Sequence, residues 1–336
     1  MKNSGLIISS GHDSEDLEDR VDTEPELELR SLVFGPAQHG LRLDQALVEL
    51  VPEFSRSYLQ QLIQCGAVTL ERAGACKAST RVKAADQGSI ELRPTPQSQA
   101  FKPELMKLEV VYQDEHLLII NKPAGLVVHP APGNWSGTLL NGLLAFDSKA
   151  VNLPRAGIVH RLDKDTSGLM VVARSRLVMD ALIRAIAARE VGRQYLALAH
   201  RPWIGSTSRQ VDQPIGRDPR NRLRMAVVDL GKNAGKLACT DIDLLHSGDR
   251  GCLVRCTLHT GRTHQIRVHM AAIGHPLVAD ELYGGAAAAG MQRQALHAFR
   301  LSQTHPVTQQ KLVFFSELPN DLSDALNQWS LSYTHS

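Results

Sequence analysis

Cysteine is scarce in this chain. Its 336 residues hold five, Cys65, Cys76, Cys239, Cys252 and Cys256. An odd number with no C-x-x-C pair argues against a disulfide framework or a zinc ribbon and suits reduced thiols in a core. Long apolar runs are missing too. None approaches the ~18 residues of a membrane span, and only Leu6, Ile7 and Ile8 precede polar sequence at the N-terminus, so a cytoplasmic protein with no membrane contact is expected. Neither a P-loop nor G-x-G-x-x-G occurs, which leaves nothing to support a nucleotide cofactor. Aromatic residues make up 4% of the chain. No internal repeat is present.

What remains is an ordinary globular composition, 43% hydrophobic and 21% charged, long enough for a small domain and a larger one. The net charge of +2 conceals an asymmetry. Residues 1–30 carry three basic side chains against nine acidic ones, a net −6, so the remainder carries +8. That excess favours a polyanionic partner without requiring one. Residues 1–36 read as an acidic, solvated tail. From Leu41 the pattern becomes helical, with Leu43, Leu47 and Leu50 on one face. A second helix follows, with Ser55 as N-cap, Leu59, Leu62 and Ile63 on its apolar side and Gly66 at its end. RPTPQSQAFKP, with three prolines, reads as a linker over residues 93–104, and residues 105–336 as a mixed sheet-and-helix domain.

Two polar segments stand out there. GIV leads into HRLDKDTSG, after which LMVVA resumes a strand, so a loop carries Asp163 and Asp165. Asp163 is the stronger candidate for a nucleophile or base, given a cation to keep it ionised. The pattern alone fits an ordinary turn as readily. A D-x-D phosphotransferase needs an apolar strand running directly into the first Asp and a later acidic pair for magnesium; His160 and Arg161 interrupt the strand and no D-D pair follows. In LHTGRTHQIRVHMAAIGHPL a helix is expected from about Thr263, with Ile266, Met270 and Ile273 facing the core. Gln265, His269, Arg262 and Arg267 would make a cationic surface, and Arg262 or Arg267 would pair with Asp163. His264 and His269 are five apart, the wrong spacing for one metal on a helix, so no metal is expected. His129, His160, His275 and His297 suit structural hydrogen bonds. Tyr195 in GRQYLALAH is either a half-buried strand tyrosine or a stacking platform for a base.

Five separated blocks in order, DEHLLIINKPAGLVVHP, GIVHRLDKDTSGLMVVARS, RQYLALA, TGRTHQIRVHMAAIGHPLVAD and QALHAFRLSQTHPVT, resemble the RluA-type RNA pseudouridine synthases over most of residues 110–320. The resemblance implies an α+β fold with a mixed, largely antiparallel sheet, and an enzyme that isomerises uridine in RNA without a cofactor. Asp163 would be the catalytic aspartate. Arg161 would fill the gap left by a flipped uridine, and Tyr195 would stack on the uracil and help remove its C5 proton. Arg267 would hold Asp163, with Arg262 the alternative, and Ile266 would line the pocket. Residues 37–92, quoted as LRLDQALVEL, SRSYLQQLIQCGAVTL and KASTRVKAADQGSIEL, are similar to a small α/β S4 RNA-binding domain with Arg42, Ser55, Arg56 and Gln60 facing RNA. ERAGACKA departs from that domain's usual Val-Asn-Gly turn. The combination, with PRAGIVHRLDKDTSGLMVVA, is most similar to the branch acting on large-subunit (23S) ribosomal RNA, and implies a monomer needing no protein partner. A ribosome-assembly factor that binds RNA on the same fold is the other expectation.

Overall fold

The computed structural model describes residues 28–92, 100–131, 133–221 and 223–333, and elements are counted among these. The chain divides between residues 95 and 96 into two compact units. The first contains strand β1 (Glu28–Val33), helices α1 (Leu43–Leu50) and α2 (Arg56–Gln64), and strands β2 (Val68–Leu70), β3 (Gly74–Ala75) and β4 (Gln87–Leu92). The strands make one antiparallel sheet in the order β1-β4-β2-β3. Leu43, Leu47, Leu59, Leu62 and Ile90 are fully buried between helices and sheet, each contributing about 1.5–3 kcal/mol by leaving water. Ser55 caps α2, its Oγ accepting from the Tyr58 N–H at 3.3 Å, and Gly66 ends the helix turn at φ +74°.

One expectation fails here. Residues 28–36, assigned to the acidic tail, belong to this unit: β1 pairs with β4 from Glu28↔Leu92 to Val33↔Gln87, and Leu32 and Phe34 are buried. The acidic composition concealed two core residues behind exposed charge. The rest of that tail, residues 1–27, lies outside the described residues, as do residues 93–99 of the linker. Ala100 to Glu104, also assigned to the linker, pack on the second unit, where Asn141 Nδ2 donates to the carbonyls of Ala100 and Lys102.

The second unit runs β5 (Val110–Gln113), β6 (Leu117–Lys122), α3 (Leu139–Phe146), β7 (Ser167–Ala173), α4 (Arg176–Ala187), β8 (Gly192–His200), β9 (Ser208–Asp212), β10 (Ile215–Arg217), β11 (Met225–Val227), β12 (Gly235–Lys236), β13 (Cys239–Ser247), β14 (Gly251–Leu258), α5 (Gln265–Ala272), β15 (Leu296–Thr304), β16 (Lys311–Phe315) and α6 (Asn320–Gln328). Its main sheet has nine strands in the order β5-β6-β7-β15-β8-β14-β13-β9, with β16 also on β15. Every pairing in it is antiparallel except β7 with β15, which is the mixed, largely antiparallel α+β architecture expected. β7, buried at all seven positions, is apolar on both faces because both are covered. Met170, Val172, Tyr195, Ala197 and Leu296 face one core with Ile266 and Met270 of α5. On the other face, Leu196, Leu198 and Phe299 pack on α6, and Val171 and Leu301 on α4.

Candidate active site

The segment from His160 to Gly168 does not follow a strand. It leaves a short helical turn, Pro154–Gly157, and joins the sheet before β7 only through a single Ile158↔Val172 bridge. Gly157 and Gly168 are obligatory. Both have positive φ, and a Cβ would sit 2.0 Å from the Ala173 carbonyl oxygen at the first and 2.3 Å from that of Ala298 at the second. Between them the loop makes one backbone bond of its own, Thr166 N–H to the Asp163 carbonyl, and several more to its surroundings. Gln294 Nε2 donates to Thr166 Oγ1, Ser167 Oγ meets His297 Nδ1 at 2.9 Å, and Arg293 donates to the Asp165 carbonyl. The Lys164 carbonyl accepts from Gly125 N–H and from Lys122 Nζ. Such cross-ties hold Asp163 at the edge of a cleft of about 1220 Å³ whose walls include Arg161, Tyr195, Arg262, Ile266 and Arg267.

Arg267 is the cation that meets Asp163. Its Nη1 lies 3.2 Å from Asp163 Oδ2, while Nε and Nη2 make two 2.8 Å bonds to Asp280. Burial opposes the guanidinium charge, but the bonds and charge of Asp280 and then Asp163 outweigh it and hold Arg267 above the ordinary arginine range. Asp163 is 16% exposed and Arg267 9%, so the pair sits where solvent screens little yet substrate can reach the carboxylate. Arg262, the alternative partner, points elsewhere: its Nε donates to the Leu237 carbonyl at 3.0 Å.

The surface expected on α5 is also not there. Gln265 and His269 are buried, because the helix from Gln265 to Met270 packs against β11, β13 and the turn Glu281–Tyr283. Gln265 Oε1 accepts from Thr260 Oγ1 and Arg262 N–H, and its Nε2 donates to Cys239 O and Thr240 Oγ1. This amide therefore fixes the loop entering the helix. His269 bridges Thr240 Oγ1 and the Gln213 carbonyl.

Tyr195 lies on the central strand β8, 5% exposed at the cleft floor. Burial pushes its phenol up to about 12, with Asp163 adding to the rise against Arg193. It keeps its proton at neutral pH, so it offers a ring face and an O–H donor rather than a phenolate base. Arg161 is exposed at the cleft and Ile266 forms part of its apolar wall. His160 is structural: burial lowers it to about 3, and Nε2 accepts the Val171 N–H at 3.0 Å. Burial likewise takes His297 down to about 4 and, helped by Arg155 and Arg161, His129 to about 4. In the first unit Arg42, Arg56 and Gln60 all donate to the fully buried Asp44, which holds the two half-exposed arginines side by side.

Three neighbours of Asp163 were not picked out from sequence. His264 Nε2 stands 3.8 Å from Asp163 Oδ1, Tyr283 Oη 2.9 Å from His264 Nδ1, and Asp280 carries Arg267. His264 and Asp280 fall inside the arginine block, but nothing in the spacing sets them apart from structural residues. Among the described residues one group, Cys239, Asp241 and His259, has metal-ligand composition. Its histidine and carboxylate already bond each other at 2.6 Å, and Gln210 donates to the second carboxylate oxygen.

A carboxylate paired with a buried arginine, in a cleft also lined by a tyrosine and a second arginine, can receive an extruded base and attack it or its sugar. Residues 116–272 match the RNA pseudouridylate synthase family. The chain belongs to that family and is an RNA pseudouridine synthase. It is 45% identical to the ribosomal large subunit pseudouridine synthase D of Neisseria meningitidis serogroup B, over 86% of this chain and 78% of that protein. To the enzyme of the same name from Nitrosomonas europaea it is again 45% identical, over 85% and 84%. Among solved structures, human RNA pseudouridylate synthase domain containing 1 is similar at 27% identity with a TM-score of 0.51, over 68% of this chain and 86% of that one.

Proposed function

We propose that this protein isomerises uridine to pseudouridine in large-subunit (23S) ribosomal RNA, with Asp163 as the catalytic carboxylate. The observation that carries the reading is the Asp163–Arg267 pair at the edge of a cleft shared with Tyr195 and Arg161. The names of its relatives supply the RNA. The reaction breaks the bond from uracil N1 to ribose C1′, turns the base, joins C5 to C1′, releases the C5 proton to solvent and returns a proton to N1. The uridine must first leave its stack. Arg161 then occupies the vacated space, Tyr195 stacks on the uracil, and Arg267 pairs with Asp163 and fixes its orientation. Tyr195 hands on a proton only in concert with an acceptor, since its phenol is neutral. The first unit is an S4-like RNA-binding domain that adds affinity through phosphates, with Arg42 and Arg56 as its contacts; Ser55 and Gln60 act by holding the helix and the arginine pair. The protein works as a cytoplasmic monomer without a protein partner.

Asp163→Asn is expected to abolish tritium release from RNA labelled at uridine C5 while RNA affinity stays within about twofold, since the amide keeps the shape and loses the charge. Retained release would remove Asp163 from the chemistry. Pseudouridine mapping of total RNA from cells with and without the gene tests the target, and a lost site outside large-subunit RNA would overturn it.

A further inference from the structure

His264 enters α5 with a left-handed backbone, φ 57° and ψ 23°, a conformation costing a non-glycine residue about 1–2 kcal/mol and concentrated at working sites. Its ring is fixed from behind. Tyr283 Oη lies 2.9 Å from His264 Nδ1 and 3.1 Å from the Met225 backbone nitrogen. The Met225 N–H can only donate, so it takes a lone pair of the phenol, and the phenol's own proton then goes to Nδ1. The reverse arrangement, with Nδ1–H donating to the phenol, leaves that proton no acceptor among the described residues. An accepting Nδ1 puts the neutral imidazole's proton on Nε2, which faces Asp163 Oδ1 at 3.8 Å while Arg267 holds Oδ2 at 3.2 Å.

We infer that His264 is a positioning residue for Asp163, a neutral donor whose tautomer is set by Tyr283 and the Met225 backbone and which orients the carboxylate from the side opposite Arg267. This rests on the reading of Asp163 as the catalytic group. Two cations on one carboxylate would quench its reactivity, whereas one cation and one neutral N–H restrict its rotation and leave its charge only partly balanced. The 3.8 Å gap closes to a hydrogen bond when the cleft fills, as such contacts commonly do. The charged and titratable groups around the ring are Asp163, Arg267, Asp280, Arg161 and Tyr283. Burial lowers His264 below the ordinary histidine value, against the pull of Asp163, so the ring is neutral at pH 7.

The test is single-turnover tritium release from an in vitro transcript of bacterial large-subunit ribosomal RNA labelled at uridine C5, on the full chain. His264→Leu should slow the rate constant about 10- to 100-fold, the scale of a misplaced reacting group, with RNA affinity within about twofold. His264→Gln, whose amide N–H reaches toward the same oxygen, should recover most of the rate. The two share the cost of the left-handed backbone, so their difference reports the donor alone. Tyr283→Phe should fall between them. The wild-type rate should decline on the acid side as His264 gains a proton, and His264→Gln should lack that decline. A His264→Leu rate within twofold of wild type, or a His264→Gln rate as low as that of His264→Leu, overturns the inference. If His264→Leu fails to fold by circular dichroism, the other two variants decide it: a His264→Gln rate reduced tenfold or more, or a Tyr283→Phe rate not below that of His264→Gln, overturns the inference. Asp163→Asn run alongside separates the two readings: if it is active, the reading of Asp163 falls, and if it is dead while His264→Leu is not, only the role of His264 falls.

Discussion

Arg267 spans two carboxylates, and the one deeper in the protein does more to hold it. Asp280 is 1% exposed and makes both of the short bonds, while Asp163 takes the longer third one. Asp280→Ala should therefore cost about 3–5 kcal/mol, the usual loss when one member of a buried ion pair is removed, and urea denaturation would measure it. A loss under about 1 kcal/mol would mean that Arg267 is held by other contacts. The same arginine bears on a choice that spacing left open: by their residues alone Arg262 and Arg267 both stood as partners for Asp163, and the family resemblance favoured Arg267. They are five residues apart, so the start of the helix, set by the buried amide of Gln265, decides which one turns toward the loop. Spacing could nominate two candidates and no further.

Strands and helices with a clear period were readable, and the cross-ties between them were not. GLMVVA, LLIIN and GRQYLALAH are strands because short apolar runs, β-branched in the first two and led by a tyrosine in the third, are bounded by turn or polar residues. The hairpin from β5 to β6 depends on Asp114, which gave no such signal. Its Oδ1 accepts the N–H groups of His116 and Leu117, and its Oδ2 meets Tyr112 Oη and His305 Nε2. Burial alone would raise this carboxyl, but those four bonds outweigh it and hold it down at about 2. With a folded value below the unfolded one of about 3.9, the stability it contributes is complete above pH 4 and is lost as pH falls toward 2. Asp114→Asn should be less stable than wild type by about 2 kcal/mol at pH 7, and the gap should narrow below pH 3. Parallel melting curves whose separation ignores pH would assign the hairpin to other contacts.

On the scale of the whole molecule, the proposed function gives RNA binding and chemistry to separate units of the chain, and each should fail separately. Arg42→Gln leaves Asp44 its bonds to Arg56 and Gln60. It should lower the salt dependence of RNA affinity by about 0.7–0.9 on a log–log slope, one phosphate contact, with the rate at saturating RNA unchanged. An unaltered slope would remove Arg42 from the RNA surface. Two units, a strand-rich catalytic region and its five blocks were legible along the chain. Leu32 and Phe34 were not, because nine acidic residues made their segment look solvated. From sequence alone Asp163 stood in a loop that fitted an ordinary turn, and ordered blocks raised it to a site because contiguous residues carry a family's pattern. Only the tertiary structure decided that its partner is Arg267, 104 residues away, that Asp280 holds that partner, and that His264 faces its other oxygen. Those choices depend on where a buried helix starts and which atoms burial leaves within about 4 Å, and neither is written in the spacing of residues along a chain.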